Sequence, residues 1–257
     1  MYSNNAKIYE SGISLSAKSA LWPLPDAVPF DKGSQIVKDA NSIFSEKIFA
    51  SSRQPIDLGE THIQFPREEF YILRMPIRYK YVWSLPVELA FLGDVLHKAT
   101  SFQQSAFGTF LYPYVYLTIR HGDQKEFGTN VWHNDGFQGN VKARHIGEIS
   151  YIWTSDGGTE WAEDPVNVPD TFDPAKHNFF SVLEKIDFQQ VKRSKPKSLT
   201  CFDSYTIHRK NTNPGKRTML RITFSNIEIK DSNYTPNPAF KLSYSKPEPR
   251  DTLSSFT

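Results

Sequence analysis

Asn130-Val131-Trp132-His133-Asn134-Asp135-Gly136-Phe137, NVWHNDGF, is the stretch on which the reading of this chain turns. A histidine and an aspartate stand two residues apart, flanked by a tryptophan and followed by a glycine. On a strand or at its end, residues i and i+2 point to the same side. His133 and Asp135 can therefore aim an imidazole and a carboxylate at one point. As a polar turn the pair needs no further partner. As part of a metal centre it needs a third ligand.

The best candidate is His208, in FDSYTIHR (202–209), just after the apolar run Ser198–Asp203. A residue there can sit at the rim of the same sheet. Two histidines and one carboxylate leave coordination positions open, the ligand set of a non-haem Fe(II) site. Zinc can use the same donors. The other histidines, His62, His97, His121, His145 and His177, show no matching spacing.

Nine residues beyond His208 is Arg217, and four further is Arg221, in KRTMLRITF (216–224). On a strand, Arg217, Met219, Arg221 and Thr223 share one face. Thr218, Leu220, Ile222 and Phe224 form the other, mostly apolar face. The two arginines lie about 13 Å apart at strand rise. Inside a fold they require anions, and a guanidinium grips carboxylates bidentately. On an outer sheet face they would simply be solvated.

Working outward, Phe110–Ile119, Glu148–Thr154, Thr159–Glu163, Ser198–Asp203 and Thr218–Ile229 read as strands rich in β-branched and aromatic residues. Gly122-Asp123, Gly128 and Gly157-Gly158 punctuate them. Many short strands between turn residues predict a sandwich or barrel. Before residue 106 the texture differs. Residues 1–30 read as irregular. Helical spacing of apolar residues runs from Ser34 to Phe49, and a second helix from about Pro86 to Leu96. Asp164–Lys176, with Pro165, Pro169 and Pro174, reads as an inserted loop or lid. The tail after Ser232 is rich in proline and polar residues. The expected organisation is a single domain over 1–257. It has an N-terminal helical and irregular part (1–105), a β core (106–230) and a C-terminal extension (231–257).

Composition narrows the function. Aromatics make up 14% of 257 residues, enough for a sizeable core, and 30 basic against 28 acidic residues leave a net charge of +2. That balance gives no field for nucleic acid or a membrane surface. The basic run Lys192–Lys197 reads as a solvated loop. One cysteine, Cys201, excludes an internal disulfide and reads as a buried thiol. No leader or membrane-spanning run is visible, so a cytoplasmic protein with a small-molecule substrate is expected. Oligomeric state is not legible.

The order H-x-D, GGTEW (157–161), FDSYTIH (202–208) and then Arg217 resembles the Fe(II)- and 2-oxoglutarate-dependent oxygenases, over roughly residues 110–230. The resemblance implies a mainly β fold: a double-stranded β-helix (jelly-roll or cupin-like) core with packing helices from the N-terminal region. It implies His133, Asp135 and His208 as ligands of Fe(II), and O2 and 2-oxoglutarate as cosubstrates. Arg217 would hold the distal 2-oxoglutarate carboxylate. RTMLR (217–221) is similar to the paired-arginine strand of the taurine dioxygenase branch, which would put Arg221 near a substrate anion or the proximal cosubstrate carboxylate. A salt bridge from Arg221 to Asp203 or Glu160 is the structural alternative. Trp153 and Arg120 are further candidate substrate contacts. One of Tyr116, Thr118 and Arg120 would touch 2-oxoglutarate, with the parity of that strand open. Trp132, Phe137, Trp153 and Trp161 are candidates for a dry pocket wall. An intact H-x-D carboxylate disfavours halogenation. The implied reaction is hydroxylation of a C–H bond in a small polar metabolite, such as an amino acid or natural-product intermediate, with succinate and CO2 formed. Hydroxylation of a peptide or protein residue, a non-catalytic β-helix ligand-binding protein and a zinc hydrolase are the alternatives.

Overall fold

The pleat of one long strand, Lys216–Ser225, organises the molecule. Its apolar face (Leu220, Ile222, Phe224) is fully buried against a helix, and its other face carries Arg217, Met219, Arg221 and Thr223. The computed structural model describes residues 15–18, 48–49, 55–66, 71–107, 112–123, 131–135, 148–167, 170–171, 177–178, 180–204, 206–211, 215–226, 228–230, 234–242 and 254–255.

The strands are β1 (Ile48–Phe49), β2 (Ile56–Glu60), β3 (Ile72–Tyr79), β4 (Val82–Trp83), β5 (Tyr114–Asp123), β6 (Ile149–Thr154) and β7 (Glu160–Ala162). They continue with β8 (Val166–Asn167), β9 (His177–Asn178), β10 (Val191–Arg193), β11 (Ser198–Asp203), β12 (His208–Arg209), β13 (Lys216–Ser225) and β14 (Ser254–Ser255). Seven form one antiparallel sheet in the order β2-β11-β6-β13-β5-β3-β4, and β10-β7-β12 form a second, three-stranded sheet. The fold is mainly β, with few helices among the described residues.

Register follows from alternation. In β6 the residues Ile149, Tyr151 and Trp153 join the apolar cluster on one side, with Leu220, Ile222 and Phe224 of β13 and Leu199 and Cys201 of β11. Cys201 is a buried thiol, as expected. A 3-10 turn (Val87–Leu92) runs into helix α1 (Gly93–Ala106), which covers this side. Val95, Leu96, Ala99, Thr100 and Gln103 form its buried stripe, at helical spacing. Gln103 is buried because Oε1 accepts a 2.8 Å hydrogen bond from the Tyr151 hydroxyl. Phe224→Ala should cost about 3–5 kcal/mol, read as a lower unfolding midpoint in denaturant.

Several expectations change. The helix begun at Pro86 extends to Ala106, because its buried stripe continues at helical spacing through Ala99, Thr100 and Gln103. Of the expected helix Ser34–Phe49, residues 34–47 lie outside the described residues, and Ile48-Phe49 are a strand paired with Val166-Asn167. The region before residue 106 also supplies β2, β3 and β4 to the large sheet, which its weak alternation concealed. Val191–Arg193, inside and just before the basic run, is an exposed edge strand rather than loop. Of the inserted segment Asp164–Lys176, residues 168–169 and 172–176 lie outside the described residues. Among the described residues, no helix is long and apolar enough to cross a membrane.

The Gly157-Gly158 turn is tight for a measurable reason. Gly157 has φ +54, and a Cβ on Gly158 would stand 1.9 Å from the Ser194 carbonyl oxygen. Since the obstruction is backbone, Gly158→Ala should push β7 and the segment after β10 apart and cost about 1–3 kcal/mol. Unchanged thermal stability of that variant would contradict this packing.

Candidate metal centre

The three-stranded sheet brings the two histidines together. His133 and His208 exchange backbone hydrogen bonds, His133 N to His208 O at 3.0 Å and His208 N to His133 O at 2.8 Å. An antiparallel pair of this kind points both side chains to one side. Their ring centroids are 4.4 Å apart. Asp135, two residues on, reaches the same place: its Oδ2 lies 3.9 Å from His208 Nε2. One donor atom from each of His133, Asp135 and His208 lies within 4.8 Å of the others.

The imidazoles are oriented by the backbone. His133 Nδ1 lies 3.0 Å from the Val131 carbonyl, and His208 Nδ1 lies 2.8 Å from that of Thr206. A carbonyl only accepts, so each Nδ1 carries a proton, and Nε2 is the ring nitrogen positioned to ligate a metal. Phe202 stacks on the His208 ring at 5.8 Å, and Phe180 meets His133 edge-on at 6.1 Å. Burial and the neighbouring His133 push His208 down to about 4, partly offset by Asp135, so it is neutral near pH 7. Burial alone would raise the Asp135 carboxyl. Arg221, His208 and His133 outweigh that and hold it well below the usual carboxylate range. Two imidazole nitrogens and one anionic oxygen fit a divalent cation of the Fe(II) or Zn(II) type.

Comparison with known proteins adds distant likenesses. No family model matches the chain, and no curated protein matches it. Among solved structures it is similar to EvdMO1, at 18% identity and a TM-score of 0.32, over 77% of this chain and 45% of that one. It thus spans less than half of EvdMO1. It is also similar to an oxidoreductase of the 2OG-Fe(II) oxygenase family from Burkholderia pseudomallei, at 12% identity and 0.32, over 79% of this chain and 93% of that one. A third is EvdO2 from Micromonospora carbonacea var. aurantiaca complexed with 2-oxoglutarate, at 12% and 0.29, over 82% and 89%. At such distance, what this chain does has to follow from its own side chains.

The interior beside the triad is polar on one wall. In the register, Arg221 stands opposite Thr118 on β5 and Ile152 on β6, and Met219 opposite Arg120 and Thr154. Ile152, Phe202 and Trp161 form an apolar cluster with Met219. This places Met219, Arg221 and Arg120 on the face toward the small sheet, which settles the parity of β5: Tyr116, Thr118 and Arg120 face inward. Thr118 Oγ1 accepts from Arg74 N at 3.0 Å, and the Tyr116 hydroxyl from Ile229 N at 2.8 Å.

Arg217 touches the Gly157 carbonyl at 3.3 Å and has no carboxylate partner among the described residues. Burial and the nearby Arg120 charge both push its pKa down. Arg221 is already occupied, its Nη2 donating to Asp135 Oδ2. The structural salt bridge exists, but its partner is Asp135 rather than Glu160 or Asp203: Glu160 binds Arg193 and Arg209, and Asp203 Oδ1 accepts from Thr206. Trp153 faces away from the triad, in the core under α1, with its Nε1 donating to the Thr61 carbonyl at 2.8 Å. It is therefore no substrate contact. Trp132 packs on Phe188 and under the Arg209 guanidinium, 4.2 Å from the ring centroid, bracing the H-x-D segment. Phe137 lies outside the described residues.

Sequence reasoning missed Glu148, Ser150, Thr154 and Thr200. The buried hydroxyls of Thr154 and Thr200 and the Trp161 indole N–H have no partner among the described residues. The signal was present in EISYIWT, where Glu148, Ser150 and Thr154 alternate with apolar residues.

Proposed function

We propose that the chain is an Fe(II)- and 2-oxoglutarate-dependent oxygenase that hydroxylates a C–H bond of a small polar metabolite. We read its two sheets as the walls of a double-stranded β-helix within one domain. The observation that carries this is the convergence of two backbone-oriented imidazoles with one ionised carboxylate. Three ligands on one face leave positions open for a chelating cosubstrate and O2.

The surrounding charges support a dicarboxylate as cosubstrate. Arg217 stands near a second guanidinium, Arg120, without a carboxylate of its own. A buried cation in that state is satisfied by an anion arriving with the ligand. The Thr154 and Thr200 hydroxyls and the Trp161 N–H, all buried, face the same interior and offer further hydrogen bonds. Balanced charge and the absence of a basic-aromatic stripe leave nucleic acid an unsuitable substrate.

His133, Asp135 and His208 would hold the iron. When bound, iron and 2-oxoglutarate supply an oxidant from O2, with succinate and CO2 as the by-products. The protein's own part is geometric. Burial keeps the His208 imidazole neutral, Arg217 would orient the cosubstrate by its far carboxylate, and Phe202, Phe180, Trp161 and Ile152 keep water from the reacting atoms. The test is anaerobic addition of Fe(II) and 2-oxoglutarate, followed by O2 and a screen of metabolites for substrate-stimulated succinate. A weak visible charge-transfer band requiring both additions, and succinate after O2, are the expected results. Neither appearing would sink the oxygenase reading.

A further inference from the structure

Asp135 lies on a bend outside any strand, so the pleat does not set its side-chain orientation. Something else must. Arg221 Nη2 donates to Asp135 Oδ2, the same oxygen that lies 3.9 Å from His208 Nε2. That guanidinium is itself held in a bracket. Its Nη2 donates to Ser150 Oγ at 2.8 Å, and its Nε to Ser150 Oγ at 3.0 Å and Thr223 Oγ1 at 3.1 Å. The two hydroxyls are 3.3 Å apart and sit opposite each other on β6 and β13. Glu148, two residues before Ser150 on the same face, places a second carboxyl group near the guanidinium.

We infer that Arg221 is a positioning residue for the Asp135 ligand, bracketed by Ser150 and Thr223, and not the contact for a substrate anion. This rests on the reading that the triad binds a divalent metal. The Nε proton and both Nη2 protons are committed to protein acceptors. Turning that set of donors to a substrate carboxylate would leave the half-buried Asp135 without its charge-assisted partner. Leaving it in place fixes which oxygen of Asp135 faces the imidazoles. Orienting partners of this kind are worth about 10–100-fold in metal affinity. Lysine cannot replace the arrangement, since a point charge reaches Asp135 but cannot span both hydroxyls.

The experiment is titration of the purified chain with Co(II) alone, without cosubstrate or substrate, following visible absorption. Arg221→Gln should weaken Co(II) binding about 10–100-fold, with Arg221→Lys in between. Ser150→Ala, a small change that preserves the fold, should weaken it several-fold and alter the Co(II) spectrum. Circular dichroism of the metal-free variants separates this from unfolding. Unchanged affinity in Ser150→Ala and Arg221→Lys overturns the inference while leaving the metal site standing. Tighter binding in Arg221→Gln also overturns it, because the guanidinium would then be a competitor for the carboxylate. A wild-type chain that binds Co(II) no better than His133→Ala removes the metal reading and this inference together.

Discussion

Replacing His208 by alanine is expected to abolish metal uptake and all succinate formation, while the chain stays folded. The imidazole is one of the two nitrogen donors in the cluster, beside the Asp135 carboxylate. A site reduced to one histidine and one carboxylate loses the chelation on which metal affinity depends. The structural cost is small by comparison. The backbone exchange between His208 and His133 survives truncation. The loss is one hydrogen bond to the Thr206 carbonyl and a ring stacked on Phe202, together about 1–3 kcal/mol. His133→Ala should behave alike. His97, exposed on α1, is the control, and His97→Ala should retain full turnover. Metal stoichiometry and succinate yield measured on the same preparations decide the matter. Stoichiometric tight metal binding by His208→Ala would mean that the three residues are not the ligand set.

The second large effect is expected at Arg217. Its guanidinium is largely withdrawn from water, close to Arg120 and without a carboxylate among the described residues. An arriving carboxylate would gain a charge-assisted pair in a place of low dielectric. Truncating one side of such a pair costs about 2–5 kcal/mol, so Arg217→Ala should raise the half-saturating 2-oxoglutarate concentration by roughly 30-fold or more. Metal affinity should hold, since Arg217 touches no ligand residue. Stability should not fall either, and relief of repulsion with Arg120 favours a slight rise. Arg217→Lys should recover part of the loss, because the charge returns without the planar fork. If 2-oxoglutarate dependence is unchanged in Arg217→Ala, the cosubstrate carboxylate is held elsewhere, with Arg120 the next residue to replace.

How far the sequence reached can be judged strand by strand. β11 was delimited to the residue as Ser198–Asp203, because a run of apolar and hydroxyl residues ended at a turn. β6 was equally visible in EISYIWT. β2 and β3 were not. Arg74 breaks β3's alternation with φ 45, and the β3–β5 register slips at two places, so no clean period of two survives. Helix α1 was cut short because Thr100 and Gln103 are polar. They are buried only because Thr100 bonds the Leu96 carbonyl and Gln103 the Tyr151 hydroxyl, partners that no one-dimensional pattern displays.

The site divides along the same line. Spacing of two kept His133 and Asp135 close along the chain, but Asp135 lies on a bend, so strand alternation did not fix the aim of its side chain. Spacing of four put Arg217 and Arg221 on one face. Whether His208, 75 residues beyond His133, joined them was a matter of pairing between β12 and the H-x-D segment, which local preference does not encode. Trp153 shows the limit most plainly. The sequence offered it as a pocket aromatic, but one pleat position decides the sheet face, and the apolar side of β6 belongs to the α1 core. Arg221 shows it again. Chemistry demanded an anion for it, and only the folded chain could say that the anion is Asp135. The sequence by itself determined which residues carry charge, lone pairs and apolar surface, and which near neighbours share a face. The tertiary structure decided which distant faces meet, because strand register and sheet packing are set by burying many side chains at once.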